Sequence, residues 1–335
     1  MKIVIATGIY PPEIGGPSEY ARQLLDTLLV QDHDAKVVTY GDLKNLPTGF
    51  RHFMYFCRLI TEAHDTQYLI TLDAFSVGLP ALLFAKLFRK KIVVRMAGDF
   101  LWESYVNRRR ESVLLSEFYT KERRFTQKEK MILKLSRFVL NSADSVVFST
   151  EWQREIMQKP YHLNMGKTCI IENFYPKVKE NSISKISKRI FLSPSRDIYL
   201  KNKKRLEEAF AMVSKNNPDI ILDTKVVSHE VLMEKIPESY AIIVTSLSEV
   251  SPNLILDALQ YSVPTIVTKD TGIASRLKDL SVFVNPLSVL EISKGIENIL
   301  DNNVYNQYKT RIMQNQFTHS WNEIAQEYLD LYKRI

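Results

Sequence analysis

The run Ser246–Pro264, SLSEVSPNLILDALQYSVP, passes from a loop into a helix and out again. Ser251 stands where a helix N-cap belongs. Pro252 follows at the first helical position, where its missing N–H does no harm. From Asn253 to Tyr261 nothing interrupts a helix, and Ser262-Val263-Pro264 stops it before the apolar run TIVT. At about 100° per residue, Leu254, Ile255, Ala258 and Leu259 share one face. Asn253, Asp257 and Gln260 form the opposite stripe, with Asn253 and Asp257 one turn apart. Two carboxylates, Glu249 and Asp257, thus lie eight positions apart about a helix N-terminus.

A helix N-terminus offers backbone N–H groups, here those of Val250, Ser251, Asn253 and Leu254, and the positive end of a dipole. It stabilises an anion by about 0.3–2 kcal/mol, depending on burial. The flanking carboxylates accept hydrogen bonds from hydroxyls. Phosphate donors between two hydroxyl acceptors describe a nucleotide sugar, with diphosphate in the middle, ribose on one side and hexose on the other. The same residues also describe a surface helix with a capped end and a polar solvent face.

With 335 residues, two domains are the better prior. Hydrophobic residues at 45% and charged residues at 25% are ordinary globular composition. Two cysteines, Cys57 and Cys169, supply neither a disulfide framework nor a zinc cluster and suit a reducing compartment. The opening Met1-Lys2-Ile3-Val4-Ile5-Ala6 is too short for a signal peptide and reads as a buried first strand. Gly78, Pro80 and Lys86 interrupt the longest apolar region, 75–88, so no transmembrane helix is expected. A net charge of +7 favours anionic partners, and no basic-aromatic pattern points to nucleic acid.

Short apolar or β-branched runs at 3–7, 36–40, 67–72 and 91–96 alternate with helical patterns at 17–31, 51–63 and 76–88. That alternation predicts a parallel sheet with helices on both faces and ligands at the strands' carboxyl ends. The first strand runs into Tyr10-Pro11-Pro12-Glu13-Ile14-Gly15-Gly16, and a glycine pair can adopt angles closed to other residues and let a ligand approach the main chain. A plain turn is the other reading. Asp32-His33-Asp34 spells D-x-D but sits between a helix and a strand, so it reads as a turn. Asp99 follows Gly98 just past strand 91–96, either reaching a cleft or capping its own loop. Residues 104–138 are the most basic stretch, including Arg108–Arg110, Lys128, Lys130 and Lys134. They form a solvated helical face or dock on anionic lipid headgroups.

Residues 175–188, YPKVKENSISKISK, read as an interdomain linker. The second half restarts with strands at 189–193, 220–227, 241–245 and 264–268. Arg196 and Lys201 bracket a loop that leads into a helix over 202–216. Two fixed cations beside a helix N-terminus suit a diphosphate, in binding and as it departs. The final helix, about 320–333, carries Trp321, Ile324, Ala325, Tyr328, Leu329 and Tyr332 on one side.

These motifs together resemble glycosyltransferase family 4, retaining enzymes of GT-B architecture. The central run matches the family's E-x7-E element at Ser246, Glu249, Pro252, Asn253, Ala258 and Pro264, with Asp257 where Glu is usual and Ser262 where Gly is usual. Y-P-P-x-x-G-G is similar to the family's first loop, Arg196 and Lys201 match its R-x4-K element, and Lys269–Ile273 resembles a loop facing the cleft. Many members carry His where Asp99 stands, and a subset resembles the G-D-x-x-W-E found here. The Gly-x-Gly element usual between 217 and 239 is missing.

The resemblance implies an α/β chain of GT-B architecture with two Rossmann-like domains facing a cleft. The domains would be 1–174 on the acceptor side and 189–316 for the nucleotide sugar, joined by 175–188. A C-terminal helix, 317–335, would cross back to the first domain. It implies retaining hexosyl transfer from a nucleotide diphosphate sugar to a glycan or lipid-linked acceptor, in cell-envelope polysaccharide or glycolipid synthesis, without a required metal or other cofactor. Glu249 would accept from donor-sugar hydroxyls, Asp257 would hold the ribose, and Asp99 would contact sugar or acceptor, the latter as its proton acceptor. Gly15, Gly16, Arg196, Lys201 and the amides around Ser251 would bind the donor. The protein would be cytoplasmic, peripheral on the inner face of an anionic membrane. The rival readings are a non-catalytic nucleotide-sugar-binding or scaffold protein and a GT-B sugar-nucleotide epimerase.

Overall fold

The computed structural model describes residues 1–179 and 189–335. Most of the expected linker, 180–188, lies outside the described residues. In chain order the first elements are β1 (Lys2–Thr7), α1 (Gly16–Val30), β2 (Asp34–Thr39), α2 (Thr48–Ala63), β3 (Tyr68–Thr71), α3 (Gly78–Leu87), β4 (Lys91–Met96), α4 (Phe100–Arg109), α5 (Leu115–Phe118), α6 (Gln127–Ser142), β5 (Ser145–Phe148), α7 (Glu151–Tyr161) and β6 (Thr168–Ile170). There follow β7 (Arg189–Leu192), α8 (Lys203–Ser214), β8 (Ile220–Asp223), α9 (His229–Lys235), β9 (Ala241–Val244), α10 (Asn253–Gln260), β10 (Thr265–Thr268), α11 (Ala274–Leu277), β11 (Ser281–Val284), α12 (Val289–Leu300), α13 (Asn302–Met313) and α14 (Trp321–Arg334).

The chain divides into two compact units. The first comprises Met1–Leu101, Arg123–Asn173 and His319–Ile335, and the second comprises Trp102–Glu122 and Phe174–Thr318. The sequence boundary at 174 keeps Trp102–Glu122 with the first half of the chain, whereas its contacts group that excursion with the second sheet. The basic stretch 104–138 is therefore not one helical face. Arg108 and Arg109 lie over the Tyr105 ring in the second unit, at 5.8 and 5.4 Å from its centroid, whereas α6 belongs to the first.

The first unit holds a six-stranded sheet of order β2-β1-β3-β4-β5-β6, all pairs parallel. Its four inner strands, β1, β3, β4 and β5, are apolar runs buried on both faces, as parallel sheets require. β1 connects leftward to β2, and the later crossovers run rightward. Crossovers of one hand therefore set α1 on the face opposite α2, α3 and α6. The contacts agree: α2 packs on α3 and α3 on α6, while α1 packs on α14. The aromatic side of α14 explains that placement. Trp321 meets the Tyr20 ring edge-on at 5.1 Å, Tyr20 Oη donates to Tyr328 Oη at 3.2 Å, and Tyr332 lies 5.1 Å from Tyr68.

The second unit repeats the winding with five parallel strands, order β11-β10-β9-β7-β8. Side chains alternate across it. Phe191, Ala241, Ile243 and Ile266 enter one core with α8 and α12, whereas Leu192, Ile242, Val244 and Val267 enter the other with α10. β8 ends at Asp223, short of the expected 227. Both sheets reverse direction once, between β1 and β3 and between β7 and β9. Ligands of open α/β sheets bind outside the carboxyl ends of strands at such points. In the second unit that selects the loops after Leu192 and Val244.

Gly78 opens α3 against the turn that Asp73 caps, where the carboxylate accepts from the Phe75 and Val77 amides at 2.8 and 3.2 Å. A Cβ on Gly78 would collide with the Asp73 carbonyl oxygen, which is backbone and cannot swing aside. Gly78→Ala should lose about 1–3 kcal/mol to that overlap, outweighing a helix-propensity gain of about 1 kcal/mol or less. Urea denaturation checks this, and an unchanged midpoint would mean the turn yields freely.

Candidate functional site

The site is built from the loops that leave the second sheet. After β7 the chain runs Ser193–Ile198 into a single 3-10 turn, Tyr199–Lys201, and then α8. Asn202 takes the left-handed conformation (φ 59°), which reverses the chain between the two. Its buried side-chain amide donates to the Thr245 carbonyl at 2.9 Å and the Pro286 carbonyl at 2.6 Å. One residue thus ties the loops after β7, β9 and β11 together. The Leu247 amide donates to the Leu200 carbonyl at 2.9 Å, a second tie between the first two loops.

These bonds bring Lys201 to Glu249, with Nζ 2.6 Å from Oε1. Their side chains are 25% and 16% exposed, so the pair compensates two charges in a place that is largely out of water. The Glu249 backbone is clamped separately: its amide donates to the Asp270 carbonyl and its carbonyl accepts from the Gly272 amide, each at 3.0 Å. Arg196 stands exposed in the same loop as Lys201. One of the two cations expected on the diphosphate, Lys201, therefore touches the carboxylate expected on the sugar, Glu249, and the other cation, Arg196, shares the loop of Lys201.

The central helix begins one residue later than the sequence suggests. Pro252, at φ −72° and ψ 109°, occupies the cap position, and α10 starts at Asn253. Extended geometry at a residue whose ring fixes φ near −65° suits a cap as readily as a first turn, so the offset is local. Ile255, Leu256, Ala258 and Leu259 are the buried face, and Asn253, Leu254 and Asp257 keep accessible surface. Leu254 therefore sits at the rim of the expected apolar face rather than inside it. Asp257 Oδ2 lies 3.6 Å from His229 Nε2, at the start of α9. Val250 and Ser251 are half-buried in the loop between Glu249 and the helix.

Sequence reasoning missed His229 and a set of residues from the Trp102–Glu122 excursion. Asn107 Oδ1 accepts from the Leu200 amide at 3.2 Å, and the Ser112 hydroxyl meets Tyr199 Oη at 2.8 Å and Arg205 at 3.0 Å. The Leu115 amide donates to Ser248 Oγ at 2.7 Å. The Asp270 carboxylate, buried, receives both the Ser116 and Ser248 hydroxyls. The excursion thus braces the residues on either side of the Lys201–Glu249 pair. No local motif announces such contacts, because the partners are 87 to 154 positions apart.

In the first unit the expected residues behave differently. Gly15 is extended (φ 164°, ψ 155°), a conformation open to any residue, so its backbone angles do not require glycine. What a Cβ there would meet is the Ile9 side chain, at 2.7 Å. Gly16 is the first residue of α1. Asp99 has no exposed surface: its Oδ1 accepts from the Leu101 amide at 2.9 Å and from Tyr161 Oη at 2.8 Å. This is the loop-capping geometry, with the carboxylate at the head of α4. At the reversal between β1 and β3 stands another carboxylate, Asp73, which burial pushes above the usual range against the pull of the Phe75 and Val77 amides. Asp32-His33-Asp34 forms the left-handed turn into β2 at the amino-terminal edge of the sheet, away from the ligand-facing edge.

Solved structures with the same chain path are numerous. Sucrose-phosphate synthase from Thermosynechococcus elongatus superposes with a TM-score of 0.76 at 14% identity, over 99% of this chain and 98% of its own. Anabaena HepE in complex with UDP-glucose gives 0.70 at 13% identity, with both chains covered in full. WaaG, a glycosyltransferase involved in lipopolysaccharide biosynthesis, gives 0.68 at 12% identity, over 98% of this chain and 99% of its own. The chain has the GT-B fold of these proteins. No protein-family model matches the sequence, and no curated protein matches it.

Asn202→Ala should remove two buried hydrogen bonds and place alanine in the left-handed region, a loss of about 2–4 kcal/mol. Urea unfolding measures it; a loss under about 0.5 kcal/mol would show that the three loops hold together without the amide.

Proposed function

We propose that the chain is a glycosyltransferase that uses a nucleotide diphosphate sugar as donor, bound at the carboxyl edge of the second sheet. The observation that carries this reading is the Lys201–Glu249 pair at 2.6 Å, set at the strand reversal beside the N-terminus of α10. A cation next to a helix N-terminus suits diphosphate, and a carboxylate on the same spot suits sugar hydroxyls. The donor's phosphate would take over Lys201 from Glu249, and hydroxyls would take over Glu249 from Lys201. Each charge keeps a partner through the exchange, which limits the desolvation cost. The fold shared with Anabaena HepE, whose structure holds UDP-glucose, supports a uridine nucleotide as the first donor to test.

In this reading Arg196, Lys201 and the amides of Val250, Ser251, Asn253 and Leu254 hold the diphosphate. Asp257 binds the ribose, with His229 beside it. Transfer proceeds with retention and without a required metal. The bond from the anomeric carbon to the diphosphate oxygen breaks, and the diphosphate departs with the electron pair. The acceptor hydroxyl oxygen bonds to the same face of that carbon, and its proton passes to the departing phosphate. The acceptor is a glycan or lipid-linked sugar, in cell-envelope polysaccharide or glycolipid synthesis at the inner face of a membrane. Gly15 and Gly16 line the first unit's ligand-facing loop. Asp99 serves by fixing the start of α4 with Tyr161, in place of the direct sugar or acceptor contact expected from sequence.

The burial of Asp99 favours one second reading, a nucleotide-sugar-binding protein without transfer activity. Product formation from UDP-glucose with pooled lipid-linked acceptors separates the two: the enzyme yields product, with the donor's anomeric configuration and in the presence of EDTA, while a binder retains the donor unchanged. Replacing both Arg196 and Lys201 by Ala should weaken UDP binding at least ~10-fold by calorimetry, given about 1.5–3 kcal/mol per charged hydrogen bond. Equal affinity would remove the phosphate assignment. Glu249→Ala should lower turnover about 100-fold or more while UDP still binds. Full turnover would contradict its role.

A further inference from the structure

Three helices of the first unit, α2, α3 and α6, form one layer over the sheet, and each has a buried apolar face and also leaves large apolar side chains exposed. On α2 the inward residues Tyr55, Leu59 and Ala63 are fully buried, yet Phe50, Phe53 and Met54 are exposed, Phe53 at 58%. On α3, Ala81, Leu82 and Ala85 are buried while Leu83 and Leu87 stand out, Leu87 at 64%. On α6, Ile132, Val139 and Leu140 are buried while Met131 and Phe138 are exposed at 57% and 50%. The outward apolar positions recur at three- and four-residue spacing on α2 and α3, and on α6 Met131 and Phe138 stand two turns apart with Lys134 between them, so each helix presents a stripe. Scattered exposed apolar residues need no explanation, but stripes on three adjoining helices form a patch that does.

Charge decides what covers it. Lys86 stands within the α3 stripe, and Lys130 and Lys134 within that of α6, all exposed. Arg89 follows at the foot of α3, also exposed. Carboxylates are nearly missing from these outward faces. α3 contains none, although Asp144, just past α6, lies 4.0 Å from Lys86 Nζ; the Glu129 of α6 is buried in its own capping box, and the exposed Glu62 of α2 pairs with Arg58 at 3.8 Å. Cores of protein–protein interfaces are depleted in lysine. Lysines interleaved with exposed phenylalanine and leucine suit a lipid boundary, where stems lie along acyl chains and ammonium groups reach phosphate. We infer that the outer face of α2, α3 and α6 docks on an anionic lipid surface. This assigns lipid contact to a three-helix layer of one unit, in place of the continuous basic stretch 104–138 that the sequence suggests. The inference stands apart from the donor-site reading, because its test uses no nucleotide.

The full-length protein is sedimented with vesicles of phosphatidylcholine, with and without about 30% phosphatidylglycerol. It should pellet with the anionic vesicles, not with phosphatidylcholine alone, and less as salt rises. A triple variant Phe53→Ser, Leu87→Ser, Phe138→Ser should weaken binding at least ~10-fold. The charge reversals Lys86→Glu, Lys130→Glu and Lys134→Glu together should do the same, at about fivefold per cation removed. Leu29→Ser with Val30→Ser, on α1 in the opposite layer, should change nothing. All these side chains are exposed, and thermal melts of each variant verify that folding is intact. Absence of pelleting with anionic vesicles, or pelleting that both triple variants retain, overturns the inference. So does a dimer in sedimentation velocity that the Phe53/Leu87/Phe138 variant abolishes, since a second copy would then be the occupant. UDP affinity measured on the same samples reports the donor site separately.

Discussion

The buried amide of Asn202 joins three loops that would otherwise end independently. A parallel sheet delivers each strand's carboxyl end to the same edge but provides nothing to hold the loops beyond it. Here the side chain of one residue, whose backbone is left-handed, donates to the carbonyls of Thr245 and Pro286 from the start of α8. The placement of Lys201, immediately before it, and of Glu249, four residues past Thr245, follows from those two bonds. The clamp of Glu249 to Asp270 and Gly272 then sets its backbone from the other side. A charged pair that is only 16–25% exposed needs such rigidity, because slack geometry would leave desolvated charge without enough attraction to offset it.

Much of this organisation is legible in the sequence, for identifiable reasons. Fully buried parallel strands are apolar runs, and helices with one inward face have a 3.6-residue period, so β1 to β4 and α1 to α3 declare themselves. The same holds for the Ser246–Pro264 run, where a loop, a proline and a polar stripe coincide. What stays hidden is whatever depends on distant pairing. β11, four residues of SVFV after a short helix, is a strand because β10 lies beside it. Asn107, Ser112, Leu115 and Ser116 look like ordinary loop and helix residues until the sheet brings Tyr199, Leu200, Ser248 and Asp270 to them. His229 likewise acquires its meaning from Asp257, twenty-eight positions away.

Asp99 shows how a correct local pattern can have two outcomes. A carboxylate past a buried strand can face solvent or turn back to cap the next helix. In this structure the Tyr161 hydroxyl and the Leu101 amide both donate to Asp99, at the head of α4. Gly15 shows the converse: a glycine pair suggests unusual torsions, but the backbone there is extended, and the constraint is the space taken by Ile9. In both cases composition identifies the right loop while packing determines what each residue does in it.

The central claim is that the edge beside Lys201 and Glu249 receives a nucleotide diphosphate. A crystal structure with UDP-glucose tests it most directly. The account predicts diphosphate oxygens within hydrogen-bond distance of Lys201 Nζ and of the first amides of α10, with the Lys201–Glu249 contact given up and Glu249 turned to the glucose hydroxyls. Nucleotide bound elsewhere, or an intact Lys201–Glu249 pair with no phosphate near it, would contradict the account.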